Sequence, residues 1–343
     1  MKKRLLGVLL TISVIAGALA GCGGNKNQAS STAATGEGGL KVLRNAVMTG
    51  QLDQYATEVG LWQGIFKKHG IDLKTNEFVA GINTIDAIVN GQADVGMMAD
   101  YAAVNRIGNT QDNTDLRIFS ELSGGGIRSG GLYVPEKYAK DLKSLDGSEG
   151  FVTHTGTVSD YYAARIIEYI GLDYNKQKLL NADSTQTQLA LVKNNQASAI
   201  FAVGSQAKYV EEYGWKLVAT VDELKITTGA YYLAKEGYIK ENKQLLADYL
   251  TAIAESVKYI DEHFDESAKY LADKLGVKEE DFKLQWKGYE LRSGFSEDAA
   301  KHLEEIEKWA FGAGRFKKDY NIRDFINTEA IEIAFPDKVT LKK

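Results

Sequence analysis

Small and hydroxyl-bearing residues recur along this 343-residue chain in a pattern that can hold an anion without a cationic side chain. They are Thr49-Gly50-Gln51, Ala80-Gly81-Ile82-Asn83, Ser123-Gly124-Gly125, Thr155-Gly156-Thr157-Val158-Ser159 and Val203-Gly204-Ser205. Each falls where an apolar run gives way to a helical pattern. The first N–H groups of a helix lack intrahelical partners, and hydroxyls beside them complete a polar cradle. N-capping alone explains any one such turn. Five around one expected cleft exceed what capping requires. The acids Asp53, Asp100, Glu121 and Asp160 lie near the same turns, with Arg128 the only cation among them. Two acids facing a ligand would favour a zwitterion or a nitrogen-rich heterocycle over a pure anion. Asp160 also suits the first turn of its own helix, where the dipole favours a carboxylate. The loop His154 to Asp160 is expected to be the second half's main contribution to specificity. Tyr101, Tyr161, Tyr162, Tyr231, Tyr232 and Trp286 can serve as aromatic walls or as core.

Catalytic constellations are missing from the sequence. His69, His154, His263 and His302 sit on separate segments, with no HxxxH or HExxH spacing. There is no GxSxG, and Gly124–Gly126 lacks the Lys-Ser/Thr of a phosphate-cradling loop. His154, before Thr155-Gly156-Thr157, fits a hydrogen-bonded structural or ligand-lining role better than a catalytic one. The reading is therefore a binding protein, not an enzyme, with no cofactor and no metal.

The elements that must position these turns alternate between strand and helix. Leu40 to Met48 reads as a strand and Tyr55 to His69 as an amphipathic helix. Gly70 to Val104 reads as strand, turn, helix and strand: Ile82, Ile85, Ile88 and Val89 recur at helical spacing, and Asn90-Gly91 stops them. Ala93 to Met98 is apolar enough for a strand buried on both faces. Leu116 to Leu122 is a further strand. The run Ser123 to Gly131 holds five glycines in nine residues, a flexible connection or one whose backbone approaches something closely. A second series follows, with strands at Phe151–His154, Lys178–Ala182, Ala197–Ala202 and Trp215–Thr220. Its helices are Thr157–Ile170, Gln186–Lys193 and Ser205–Tyr213. Such alternation predicts parallel sheets flanked by helices. Asn242 to Ala310 is almost entirely helical by pattern, and Val339 to Leu341 reads as an extended segment.

The stretch HGIDLKTNEFVAGINTIDAIVNGQADVGM, residues 69–97, resembles the solute-binding proteins of ABC importers for sulfonates, taurine, nitrate and thiamine-precursor pyrimidines. The match is close over Gly70 to Met98 and diffuse but continuous over most of the rest. It implies an α/β, two-lobed periplasmic-binding-protein-like fold, each lobe a mostly parallel sheet flanked by helices, with two crossing strands as hinge. The two series rhyme accordingly: TIDAIVNGQADVGMMAD at 84–100 resembles QLALVKNNQASAIFAVG at 188–204. Residues 40–126 with 230–343 would form one lobe and 127–229 the other. The crossings fall at Gly124–Gly131 and Thr227–Leu233. Carried over residue by residue, the resemblance places ligand contacts at Gly50, Gln51, Ala80, Gly81, Asp100, Tyr101, Ser123 and Gly124. From the second lobe it adds Thr155, Thr157, Ser159 and Gly204. Where family members often carry Trp-Asp-Pro, this chain has Val203-Gly204-Ser205, a departure that weakens transfer of any one member's specificity. The implied role is capture of a sulfonate- or taurine-like anion or zwitterion, as a monomer, for an importer permease. A pyrimidine-type ligand, an enzyme on the same fold and a sensor that presents its ligand to a receptor are the alternatives.

Lys2, Lys3 and Arg4 precede the sixteen mostly apolar residues Leu5–Ala20, a secretory signal pattern too short for the ~20 residues a bilayer span needs. Leu19-Ala20-Gly21-Cys22 resembles a bacterial lipobox, which implies cleavage before Cys22, lipidation of its thiol, and anchoring at the outer face of the cytoplasmic membrane. Cys22 is the only cysteine, so no internal disulfide exists to explain it. Residues 22–39 are Gly/Ser/Thr/Ala/Asn-rich and read as a flexible tether. Loss of residues 1–21 removes three of 41 cations and none of 46 acids, leaving a net charge of −8. Such a balance speaks against nucleic acid and against electrostatic docking on anionic lipid.

Overall fold

The computed structural model describes residues 33–125 and 130–342. The signal segment, Cys22, most of the tether and Arg128 lie outside them. The chain opens with β1 (Lys41–Met48), α1 (Leu52–Trp62), a single turn α2 (Ile65–Lys68), β2 (Ile71–Phe78), α3 (Gly81–Val89), β3 (Val95–Ala99), α4 (Asp100–Thr110) and β4 (Leu116–Gly125). Four of the five residues of β3 are buried, as its apolar composition requires. The second series comprises β5 (Gly130–Val134), β6 (Phe151–Thr153), α5 (Val158–Ile170), β7 (Leu179–Asn181), α6 (Thr185–Lys193), β8 (Ile200–Val203), α7 (Gly204–Glu212) and β9 (Lys216–Thr220). β10 (Ala230–Lys235) returns to the first sheet. It is followed by α8 (Glu236–Glu241), α9 (Lys243–Glu262), α10 (Phe264–Leu275), α11 (Glu279–Trp286), β11 (Tyr289–Gly294), α12 (Glu297–Gly312) and α13 (Glu329–Ala334).

The larger sheet has the order β11-β4-β10-β3-β1-β2. β1 pairs parallel with β2 and β3, whereas β10 runs antiparallel to both β3 and β4. The four strands of the first series thus share one direction, as expected. β10 opposes them because it enters the sheet from the other lobe. β11, antiparallel to β4, interrupts the stretch read as almost entirely helical. Its sequence YELRSG is only half buried, so it lacks a strong apolar alternation. Val339 forms an isolated bridge with Phe295, consistent with the extended terminal segment.

The smaller lobe repeats this plan. β6 pairs parallel with β7 and bridges to Ala199 ahead of β8, while β5 lies antiparallel between β8 and β9. The order β7-β6-β8-β5-β9 therefore mirrors β2-β1-β3-β10-β4, with the crossing strand inserted at the same place. The helix–strand rhyme is equally literal. Asn90 and Asn194 cap α3 and α6, and the next residues, Gly91 and Asn195, adopt φ of 73° and 52°. Gln92 N–H and Gln196 N–H then reach back to the carbonyls of Ala87 and Leu191. The glycines that open β5 answer a close approach. A Cβ at Gly130 would stand 2.2 Å from the Ala202 carbonyl oxygen, and one at Gly131 2.0 Å from that of Ala219.

Each face of the larger sheet is covered by its own apolar cluster. Tyr55, Val59 and Phe66 pack with Tyr249, Ile253 and Phe282 on one side. Ile85, Ile88 and Tyr101 pack with Phe295, Leu303 and Ile306 on the other. The long C-terminal helices therefore belong to the larger lobe, and α11 also reaches α7 of the smaller one.

Candidate functional site

A cavity of about 610 Å³ lies between the lobes. From the larger lobe it is walled by Met48, Thr49, Gly50 and Gln51, by Val79, by Met97 and Ala99 at the end of β3, and by Ser123 and Gly124 of β4. From the smaller lobe come Val158 and Tyr162 of α5, Ser184, Thr185 and Gln186 at the start of α6, and Phe201, Val203, Ser205 and Gln206 around the start of α7. Val221, Ile226, Thr228, Gly229 and Ala230 of the return crossing, with Gln285 and Tyr289, complete it. Among the described residues no charged side chain lines the cavity. Its polar groups are carboxamides (Gln51, Gln186, Gln206, Gln285) and hydroxyls.

Helix starts dominate the walls. Ser184 accepts the Thr187 N–H and Thr157 accepts the Ser159 N–H, so α6 and α5 cap themselves. Gln51, Ala80 and Val203, which open α1, α3 and α7, supply no side-chain cap. Of these, α7 both borders the cavity and keeps N–H groups for another acceptor, whereas N–H groups of α1 turn to Asp53 and Tyr289 and the α3 start lies outside the lining. The Tyr162 and Phe201 rings lie 4.4 Å apart and form an aromatic wall. Such a chamber can surround a small solute, present donors to an oxyanion or carbonyl, and stack against a ring or alkyl chain. Among the described residues no group of three or more His, Cys, Asp or Glu could hold a metal ion.

Of the residues singled out in the sequence, Gly50, Gln51, Ser123 and Gly124 line the cavity. Ala80, Gly81 and Gly204 do not, although their neighbours Val79, Val203 and Ser205 do. Asp100 and Tyr101 are fully buried and spent internally. Asp100 accepts the Gly229 N–H at 2.9 Å and the Tyr101 N–H at 2.7 Å, and lies 2.8 Å from His302 Nε2. Burial opposes a charge on His302, but the hydrogen bond and charge of Asp100 outweigh it and raise its pKa.

The loop His154–Asp160 contributes less than expected, with only Val158 reaching the cavity. Thr155 N–H binds Asn181, and the Thr157 hydroxyl donates to the His154 carbonyl. Ser159 is half buried outside the lining. Asp160 is 2 % exposed and pins the lobes to each other. It accepts Tyr174 Oη at 2.6 Å and Tyr101 Oη at 3.4 Å, with Arg315 Nη2 at 3.7 Å. Glu121 likewise accepts the Ser296 N–H beside Arg292. Asp53, in the first turn of α1, is fully buried and accepts the Met48 N–H at 3.1 Å. Burial pushes its carboxyl up to about 7, against the backbone N–H groups that hold the charge. All four acids thus serve the frame. Tyr101, Tyr231, Tyr232 and Trp286 are core; Tyr161 stacks on Tyr101, and Tyr162 alone of that set walls the cavity.

Sequence reasoning missed Ser184-Thr185-Gln186, which carries the same hydroxyl-before-helix signal as the other turns. It also missed Gln285 and Tyr289, which come from elements far along the chain and give no local signal.

The family model described as NMT1/THI5 like matches residues 59–267. No curated protein matches the chain. Among solved structures, the alkanesulfonate-binding protein SsuA from Xanthomonas axonopodis pv. citri, bound to MOPS, superposes with a TM-score of 0.70 at 14 % identity, covering 84 % of this chain and 98 % of that one. The periplasmic aliphatic sulphonate binding protein SsuA from Escherichia coli gives 0.70 at 17 %, covering 84 % and 92 %. The periplasmic nitrate-binding protein NrtA from Synechocystis PCC 6803 gives 0.63 at 14 %, covering 85 % and 87 %. These likenesses place the fold among periplasmic binding proteins.

Proposed function

The chain belongs to the NMT1/THI5-like family, and from that premise we propose that it is an exported, lipid-anchored binding protein that captures a small solute between its lobes and delivers it to an ABC importer. The observation that carries this reading is the interlobe cavity walled by helix starts, amides and hydroxyls. Their N–H and O–H groups suit an oxyanion, and the apolar walls suit an attached carbon skeleton. A sulfonate- or taurine-like anion or zwitterion is the solute we favour. That structural neighbours are sulfonate- and nitrate-binding proteins supports that choice. The Tyr162–Phe201 wall and four carboxamides also suit a pyrimidine-type ring, which stands as the second reading.

Residues 1–21 act as the signal, 22–39 as the tether, 40–126 with 230–343 as one lobe and 127–229 as the other. Export leaves the monomeric protein on the outer face of the cytoplasmic membrane, tied through Cys22. Ala80, Gly81, Thr155, Thr157, Ser159 and Gly204 then act beside the ligand rather than on it. Native mass spectrometry of protein purified without unfolding, followed by thermal shifts against sulfonates, taurine, nitrate and pyrimidines, tests the reading. A bound solute stabilises by ~2.7 kcal/mol at a hundredfold excess over Kd. No co-purified mass and no shift with any of them would overturn it.

A further inference from the structure

Gln285 and Tyr289 touch the cavity wall from elements more than 230 residues along the chain from Gln51. Gln285 Nε2 stands 2.6 Å from the Gly50 carbonyl oxygen and 2.7 Å from Tyr289 Oη. A backbone carbonyl only accepts, so the Gln285 atom facing it must be the nitrogen. The Gln285 oxygen accepts Tyr55 Oη at 3.1 Å. Both donors of that amide are now placed, one on Gly50 and one on Tyr289. Tyr289, having accepted, must send its own O–H elsewhere, and the group in reach is Gln51 at 3.1 Å. Turning the Gln51 nitrogen toward Tyr289 would strand a half-buried phenolic proton with no acceptor, the arrangement that hydrogen bonding disfavours most. The Gln51 oxygen is therefore held on the Tyr289 hydroxyl, which fixes the side its NH2 must take. The neighbouring N–H groups are also taken, Thr49 by the Phe78 carbonyl and Gly50 by Gln54.

We propose that the hydrogen bonds running from the Gly50 carbonyl through Gln285 and Tyr289 lock the Gln51 carboxamide with its NH2 toward the cavity. This makes the corner a donor-only subsite for an acceptor group of the solute. Gln285 and Tyr289 are positioning residues, and Gln51 is the contact. The assignment of a solute to this cavity rests on the proposed function, but the direction of the hydrogen bonds does not. Such a corner takes a sulfonate oxygen, a nitrate oxygen or a ring carbonyl and rejects an ammonium.

Two measurements test it. Side-chain amide exchange in 15N-glutamine-labelled, deuterated protein needs no solute, with the resonances assigned from Gln51→Leu and Gln285→Leu spectra. The Gln51 NH2 protons should exchange at least tenfold faster than those of Gln285, whose two donors are both bonded. Equal or greater protection of Gln51 would overturn the proposal whatever the protein binds. Calorimetry with ethanesulfonate, whose head group only accepts, reads the consequence. Gln51→Glu, the same shape without donors, should weaken binding at least 30-fold. Tyr289→Phe, which frees Gln51 to turn, should weaken it three- to tenfold with Tm nearly unchanged. Unchanged affinity for Gln51→Glu would overturn the subsite. If the wild type binds no solute of the panel, the proposed function fails while the exchange rates still decide the locked amide.

Discussion

Replacing Asp53 by Asn should make the protein more stable above neutral pH, although it removes a hydrogen-bonded carboxylate. Asp53 is wholly enclosed between α1 and the larger sheet. One oxygen accepts the Met48 N–H, and no cationic side chain offsets the charge. The charges and hydroxyls facing it are those of Tyr55, Tyr232, Tyr249 and Tyr289, none of which supplies a cation. Its carboxyl, raised from 3.8 to about 7, stays protonated in the folded chain while the unfolded chain has already ionised. The folded state then binds the extra proton, so stability is full below pH 3.8 and falls as pH rises through about 7. At ~1.36 kcal/mol per pKa unit, a rise of about three units amounts to as much as ~4 kcal/mol lost across that window. Asn keeps an acceptor for Met48 and never ionises. Urea unfolding of both proteins between pH 4 and 8 isolates the effect, since all other groups cancel in the difference. Asp53→Asn should gain on the wild type by up to ~1.4 kcal/mol per pH unit between 4 and 7 and hold that lead above. Parallel profiles would refute the reasoning.

Asp160→Asn should cost about 2–4 kcal/mol of stability, because it leaves Arg315 half buried opposite a neutral group. Solute affinity should change less than threefold; a large loss of affinity at unchanged Tm would restore Asp160 to the ligand site. His302 contributes stability that is complete below its ordinary pKa of 6.5 and lost as pH rises through its raised folded value. His302→Gln should therefore flatten the profile just above pH 6.5, and an identical slope would count against the pairing with Asp100. Cys22→Ser should release the protein from the membrane fraction, and mutant persisting in the pellet would exclude the lipid as its anchor.

Much of the frame was legible because it rests on local signals. The Asn90-Gly91 stop, the apolar run at Val95–Met98 and the glycines at 130–131 each announce a backbone event within a few residues. The repeat between 84–100 and 188–204 is visible for the same reason. Direction of pairing was not legible at β10, whose residues AYYLAK suit either orientation, since the crossing from the other lobe decides it. Site chemistry was legible only where turns carry it. Gly50, Gln51, Ser123 and Gly124, all read from turns, line the cavity. Asp100, Tyr101 and Asp160 stand at equally suggestive turns, yet partners 59 to 202 residues away had already claimed them. A carboxylate at a strand end looks the same in sequence whether it meets a solute or an arginine from the far end of the chain.

The central claim, capture of a solute between moving lobes, is tested most directly by a distance across the cleft. α7 and α11 meet there through polar contacts, with Tyr209 Oη 3.2 Å from Asp281 and Lys208 4.0 Å from Glu280. Spin labels at Lys208→Cys and Glu280→Cys, in a Cys22→Ser background, report that gap by pulsed electron resonance. Protein holding its co-purified solute, or saturated with the sulfonate that gives the largest thermal shift, should show one short, narrow distance. The same protein stripped by unfolding and refolding should show a longer, broader one that returns to the short form when the solute is restored. An identical distance distribution with and without bound solute would contradict the account.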